Sequence, residues 1–215
     1  MVIDFDRDKM KLGIVGAIII LIGAYFFFTG GRTRAVAGIG EPVQVEAEGQ
    51  AVMDDVAGYK VTINYLYEYD IKALVVHTHN YYGLGVSDKL APRDFALAWG
   101  KVAEYNDRID FHWSQSGRWY RWHTKTYEEI IPVGGEDGVN HCSCNNHIIP
   151  ANAAVRSEIK KVKKGDYIEL KGYLVNVNAN KPDGSTFYWN SSTTREDTGD
   201  GACEVIYVTG IKWLD

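Results

Sequence analysis

VTINYLYEYDIKALVVHTH, residues 61–79, is the stretch that decides the fold class. Val61, Ile63, Tyr65, Tyr67 and Tyr69 alternate with Thr62, Asn64, Leu66, Glu68 and Asp70. A period of two is the mark of a strand with one buried face. From Ile71 onward both parities turn apolar, with Ile71, Ala73 and Val75 on one side and Leu74 and Val76 on the other. That pattern predicts a central strand covered on both faces. Working outward, Asp110–Ser114 and Arg118–His123 flank Gln115-Ser116-Gly117 and predict a hairpin. GDYIELKGYLVNV (165–177) predicts a strand opening from a Gly-Asp turn, and Lys181-Pro182-Asp183-Gly184 a tight turn. Phe187-Tyr188-Trp189 and Glu204–Val208 add further strands. The expected class is α+β, mainly β, with short strands folding into a small barrel or sandwich.

Two helices are expected within this pattern. Pro92 suits a first turn, and Phe95, Ala98, Trp99 and Val102 fall at helical spacing. The second begins at Asn152 as cap, with Val155, Ile159 and Val162 on one face and four lysines before Gly165. Lysines there complement the helix C-terminus, which accounts for KKVKK without a nucleic-acid or lipid ligand.

At the N-terminus, LGIVGAIIILIGAYFFFTGG (12–31) carries no charge over twenty residues. A helix of that length crosses a bilayer core of roughly 30 Å. The expected organisation is a tail at 1–11, a transmembrane helix at 12–31, a tether at 32–42, an α+β subdomain at 43–140 and an OB-like β subdomain at 141–215. Ala35-Val36-Ala37 fits a signal-peptidase site, but the apolar run exceeds a signal-peptide core, so an uncleaved signal anchor is expected. Arg7, Lys9 and Lys11 outnumber Arg32 and Arg34, which places the tail in the cytoplasm and the globular domain outside it.

The chain has 215 residues and a net charge of −5, from 23 basic and 28 acidic residues. The tail is balanced, so the whole −5 belongs to the rest of the chain. That balance disfavours nucleic acid as a partner. Aromatics at 13% suit strands and interfaces.

LAPRDFALAWG (90–100), NNHIIPA (145–151), KKGDYIELKGYLV (163–175) and SSTTREDTGDGACEVIYV (191–208) together resemble a family of uncharacterised bacterial single-pass membrane proteins. The resemblance implies a C-terminal OB-like β domain. It brings no activity and no functional residues.

Four soft or borderline ligands crowd His141-Cys142-Ser143-Cys144-Asn145-Asn146-His147. His141, Cys144 and His147 are the candidate zinc ligands, with His77 and His79 as a distant second pair. No cofactor is expected, and zinc is the candidate should the cluster hold a metal. The competing use of Cys142, Cys144 and Cys203 is a disulfide from Cys203 to one of the other two, leaving one free thiol. Asn146-His147-Ile148-Ile149-Pro150 resembles the first half of an HNH nuclease motif, but no histidine comes after His147. Asp197-Thr198-Gly199-Asp200-Gly201 has calcium-loop character and reads better as a turn. In RWYRWH (118–123), Trp119, Arg121 and Trp122 are the candidate partner-binding residues. Nucleophile-elbow, Walker, dinucleotide and zincin motifs are missing from the sequence.

The expected function is a membrane-anchored envelope protein with a binding or scaffolding role. It is held to lipid by residues 12–31 and engages a protein partner at the membrane. A non-enzyme is favoured. The alternative is a metal-dependent enzyme or metallochaperone using His141, Cys142, Cys144 and His147; oligosaccharide or single-stranded nucleic acid on the OB-like part is a third reading.

Overall fold

The computed structural model describes residues 13–16, 18, 34–197, 199 and 201–215. The expected tail at 1–11 and most of the expected membrane segment at 12–31 lie outside the described residues. Residues 13–16 and 18 are helical. Among the described residues no helix is long and apolar enough to cross a membrane.

The domain is mainly β, as expected. Its spine is β3, the 22-residue strand Tyr59–Asn80, which contains the alternating stretch 61–79. Along one edge β3 pairs antiparallel with β8 (Tyr167–Asn180), from Lys60↔Asn180 to Leu74↔Tyr167. Along its other edge it pairs in turn with β2 (Gln50–Val56), β1 (Val43–Glu46) and β4 (Arg93–Ala98). The sheet continues from β4 to β7 (Ser143–Pro150) and β10 (Glu204–Trp213), then returns through β8 to β3. Five strands thus close a barrel in the order β3-β4-β7-β10-β8. Within it only β7 and β10 run parallel. The edge strand β9 (Thr186–Asn190) extends the sheet beyond β8. The hairpin of β5 (Ser114–Ser116) and β6 (Trp119–Arg121) stands apart as a two-stranded sheet.

Two cores lie on opposite faces of the same strands. Ile148 and Ile206 belong to the larger cluster, with Ile71, Phe95, Leu170 and Leu174. Their neighbours Ile149 and Val205 belong to the second, with Val61, Ile63, Leu90, Val175 and Val177. Successive side chains of a strand point to opposite faces, so a sheet covered on both sides reads as a continuous apolar run. At Gly172 a side chain would run into the Tyr207 carbonyl, so the close pairing of β8 with β10 there requires glycine.

The helix expected from Pro92 to Val102 is instead strand β4 and then the short helix α2 (Gly100–Tyr105), α1 being Val86–Leu90. Every residue of β4 is buried, and it lies between β3 and β7. Apolar residues on both faces of a central strand satisfy helical spacing by coincidence. The segment around His147 is the start and middle of β7, buried along its whole length.

The tether is also more ordered than a linker. Ile39 is 5% exposed and joins the larger core. The Val36 amide donates to the Ala103 carbonyl at 3.0 Å, and Gly100 N–H donates to the Ile39 carbonyl at 3.0 Å. Strands from before and after residue 140 share one barrel, so the expected halves 43–140 and 141–215 are structurally continuous.

Beyond the hairpin come a 3-10 helix (Tyr127–Val133) and α3 (Gly135–His141). Helix α4 (Ala153–Ile159) starts as expected, with Asn152 Oδ1 accepting from the Val155 amide at 3.0 Å. Its C-terminal end is held by a different group from the lysines. Buried Arg93 of β4 donates to the carbonyls of Ile159 (2.8 Å), Lys160 (2.8 Å) and Val162 (2.7 Å), and to Thr78 Oγ1 (2.9 Å). A guanidinium satisfies several orphan carbonyls at once, where an exposed lysine adds only a screened charge. Arg93→Ala is therefore expected to destabilise the fold by about 2–4 kcal/mol in urea titrations. Alanine at Lys160, Lys161 and Lys163 together is expected to cost less than about 1 kcal/mol.

Candidate functional site

Two cavities adjoin where β7 and β10 begin, and they share Trp119, Gly199 and Cys203 in their walls. The larger, about 350 Å³, lies between the hairpin, the end of α3 and the loop that leads into β10. The smaller, about 290 Å³, opens over His147 and Trp189.

Glu204, the first residue of β10, lies on the floor of the larger cavity and is 1% exposed. Arg195 reaches it from the preceding loop: Nη1 donates to Glu204 Oε1 at 2.7 Å and Nη2 to the Tyr69 hydroxyl at 2.8 Å. The guanidinium also lies over the Tyr69 and Trp99 rings, 5.5 and 5.7 Å from their centroids. Glu204 Oε2 is buried and has no hydrogen-bond partner. Burial pushes the Glu204 carboxyl up to about 7, with Arg195 pulling the other way. Burial also drives the adjacent Cys144 thiol well above its ordinary range, and Glu204 adds to that shift.

The hairpin supplies the aromatic wall. Tyr120 places its hydroxyl 3.2 Å from the Ser143 carbonyl, and Trp122 Nε1 donates to Asn140 Oδ1 at 3.1 Å. Trp119 stays 39% exposed, and Arg121 donates to Ser116 Oγ at 3.0 Å. The three expected partner-binding residues, Trp119, Arg121 and Trp122, therefore line one cavity.

The smaller cavity is built on the outer face of β4 and β7. Asp94 and His147 are paired across the two strands. Asp94 Oδ2 and His147 Nδ1 face each other at 2.9 Å, off the line of a hydrogen bond. Arg118 from the hairpin turn clamps this face. Its Nη1 donates to Asp94 Oδ1 (2.9 Å) and the Ala91 carbonyl (2.8 Å), and its Nη2 to Asp88 Oδ1 (2.5 Å). The guanidinium stacks 3.5 Å from the Tyr81 ring centroid. Gly117 and Arg118 have φ of 59° and 73°. Arginine seldom adopts that left-handed region, and its four polar and aromatic partners hold it there. A chain of amides continues the network: His77 Nδ1 lies 2.9 Å from Gln115 Oε1, and Gln115 Nε2 donates to Asn145 Oδ1 at 2.5 Å. The Cys203 thiol beside Asn145 is pushed up by burial to about 12. It stays protonated at neutral pH and is a poor nucleophile.

The candidate zinc ligands do not meet. His141 is exposed beside Glu41 (3.3 Å). Cys144 faces the barrel core, and His147 faces the opposite side with Asp94. His77 is taken by Gln115. Among the described residues no three His, Cys, Asp or Glu side chains are grouped to hold a metal. Strand alternation is the cause: ligands at odd and even positions of β7 are sent to different faces.

The same parity separates Cys144 from Cys203, and Cys142, Cys144 and Cys203 are free thiols. Glu204 is opposite Asn146 in the β7–β10 register, so Cys144 shares the face of Glu204 while Cys203 shares that of Asn145. Side chains on opposite faces cannot reach disulfide geometry. Asp197 accepts from the Ser192 hydroxyl at 2.6 Å, as a turn residue does; Thr198 and Asp200 lie outside the described residues.

Asp94, Arg195 and Glu204 are not among the candidate residues read from the sequence, and Arg118 figures there only as the start of RWYRWH (118–123). The available signal was a lone acid inside an apolar strand, as in RDFALA (93–98) and CEVIYV (203–208). Comparison of the chain with protein families, curated proteins and solved structures finds no match.

Two measurements check this site. Without reductant, half-buried Cys142 is expected to take a maleimide in the native protein, whereas buried Cys144 is labelled only in denaturant. The second concerns pH. Folding raises the Glu204 carboxyl from 4.5 to about 7, so the folded state holds that proton more tightly. The associated stability is complete below pH 4.5 and is lost as pH rises through 7. The wild-type minus Glu204→Gln difference in unfolding free energy is expected to fall across that window, and a flat difference would contradict it.

Proposed function

We propose that this chain is a single-pass, membrane-anchored envelope protein whose barrel binds a protein partner at the hairpin-walled cavity. The observation that carries the reading is that cavity: aromatic side chains on its wall and a buried carboxyl group, Glu204, on its floor. Convergence of a few polar groups in an apolar recess is the usual make-up of a binding site. Trp and Arg at the rim, here Trp119 and Arg121, are the residue types that anchor protein interfaces.

The barrel is OB-like in this proposal. Five strands close around one core with a helix, α4, between the third and fourth, which supports that assignment. OB barrels bind oligonucleotides and oligosaccharides on the face of their second and third strands. Here the matching outer face of β4 and β7 is occupied by the chain's own Gln115 and Arg118. With the −5 charge, that filling disfavours nucleic acid there and moves binding to the adjacent cavity. The anchor is the apolar run 12–31, which leaves the domain on the extracytoplasmic side.

A photo-crosslinking residue at Trp119 in living cells is expected to give a discrete protein adduct that disappears when Trp122→Ala is added. The same probe at exposed Tyr127, which lies outside the cavity wall, is expected to give none. Equal labelling at both positions would refute the cavity as the docking site. Deletion of residues 1–33 is expected to release the protein from carbonate-washed membranes, and retention in the pellet would refute the anchor.

A further inference from the structure

Beyond the barrel, β2, β3, β8 and β9 form a four-stranded antiparallel extension. One of its faces packs Val61, Ile63, Val177, Ala179 and Trp189 into the second core. The other face carries a different chemistry. In register across the four strands lie Gln50, Asn64, Asn176 and Asn190, a row of four primary amides. The next row is Val52, Thr62, Asn178 and Tyr188, and the third holds Lys60, Asn180 and Thr186. Strands are about 4.8 Å apart and alternate residues about 7 Å apart, so the amide row spans roughly 14 Å.

These groups are little used by the protein itself. Asn176 Oδ1 accepts from the Ser191 amide (3.3 Å), and Asn64 Nδ2 reaches the Asn176 carbonyl at 3.5 Å. Among the described residues Gln50, Asn178, Asn180 and Asn190 have no side-chain hydrogen bond. Each primary amide offers two donors and two acceptor lone pairs. Tyr188, 64% exposed, adds a ring at the β9 edge, where it and Asn190 also border the smaller cavity.

Charge complementarity selects the occupant. Charged residues make up 24% of the chain, yet Lys60 is the one charge in register in these three rows, at their end, where it faces the Asp54-Asp55 bulge of β2. Nucleic acid needs several cations along its track, and an acidic glycan needs the same. A protein interface needs an apolar centre, and Val52 and Tyr188 alone supply too little area for a second copy of this chain. A neutral polymer dense in hydroxyl or acetamido groups matches a field of amides that both donate and accept. From this juxtaposition we infer that the amide-lined face of β2, β3, β8 and β9 binds a neutral glycan chain. The site is separate from the aromatic cavity and stands whether or not that cavity binds a protein.

The test uses full-length protein in detergent micelles, titrated calorimetrically with cellohexaose, chitohexaose and heparin. At least one neutral hexasaccharide is expected to bind with an affinity insensitive to salt, and heparin is expected not to bind. The pair Asn178→Ala, Asn190→Ala, the first half-buried and the second exposed, is expected to weaken binding about tenfold or more, Tyr188→Ala to weaken it too, and Trp122→Ala to leave it unchanged. Failure of both neutral hexasaccharides to bind would overturn the inference. So would preferential heparin binding, or affinity that tracks Trp122 instead of Asn178. Self-association abolished by the Asn178 variant would assign the face to a second copy and equally overturn it.

Discussion

Pairing of β3 with β8 is the constraint on which the rest depends. It runs through fourteen partnered positions with one bulge, between Tyr65 and Tyr67. One end of this ribbon closes the barrel, and the other projects past it to carry β2 and β9. The bulge changes which parity of β3 faces which core: odd-numbered Val61 and Ile63 lie in the second cluster, and odd-numbered Tyr69, Ile71 and Ala73 in the larger. A bulge inserts one residue and re-aims the side chains beyond it. Without it, one of the two cores would lose its apolar side chains to the opposite face.

Closure also explains why charge survives inside. Asp94 and Glu204 lie in barrel strands and are 0% and 1% exposed. Each is met by an arginine arriving from a loop, Arg118 from the hairpin turn and Arg195 from the segment before β10. Both guanidiniums also lie over aromatic rings, Tyr81 for the first and Tyr69 with Trp99 for the second. Buried pairs of this kind add little net stability, because desolvation offsets their attraction. Their effect is positional: each pins a loop onto the barrel, and the two cavities open between the pinned loops. The hairpin that fills the outer face of β4 and β7 is held by the first clamp, which turns a surface groove into a recess.

Several features were legible from local pattern alone. The alternation in β3, the strand in 165–177, the turn at Lys181–Gly184 and the Asn152 cap each depend on neighbours within a few residues. The hairpin around Gly117 was legible for the same reason, although its turn is Gly117-Arg118, Gln115 and Ser116 belong to β5, and its strands are only three residues each. The resemblance pointed to an OB-like part in 141–215, whereas the barrel draws its first two strands from before residue 140. The cysteine and histidine cluster misled because closeness along a strand is not closeness in space. Neighbours on β7 diverge to opposite faces.

The sequence by itself determined a mainly β domain, the spine strand, the hairpin and the capped helix, since period and cap chemistry are local. Tertiary structure alone decided that Arg93–Ala98 is strand, because burial on both faces erases the period that separates strand from helix. It alone also joined Arg195 to Tyr69, 126 positions apart, and gathered the hairpin, α3 and β10 around one cavity. Those contacts exist only once the barrel closes, and chain-local chemistry carries no record of which distant side chains closure brings together.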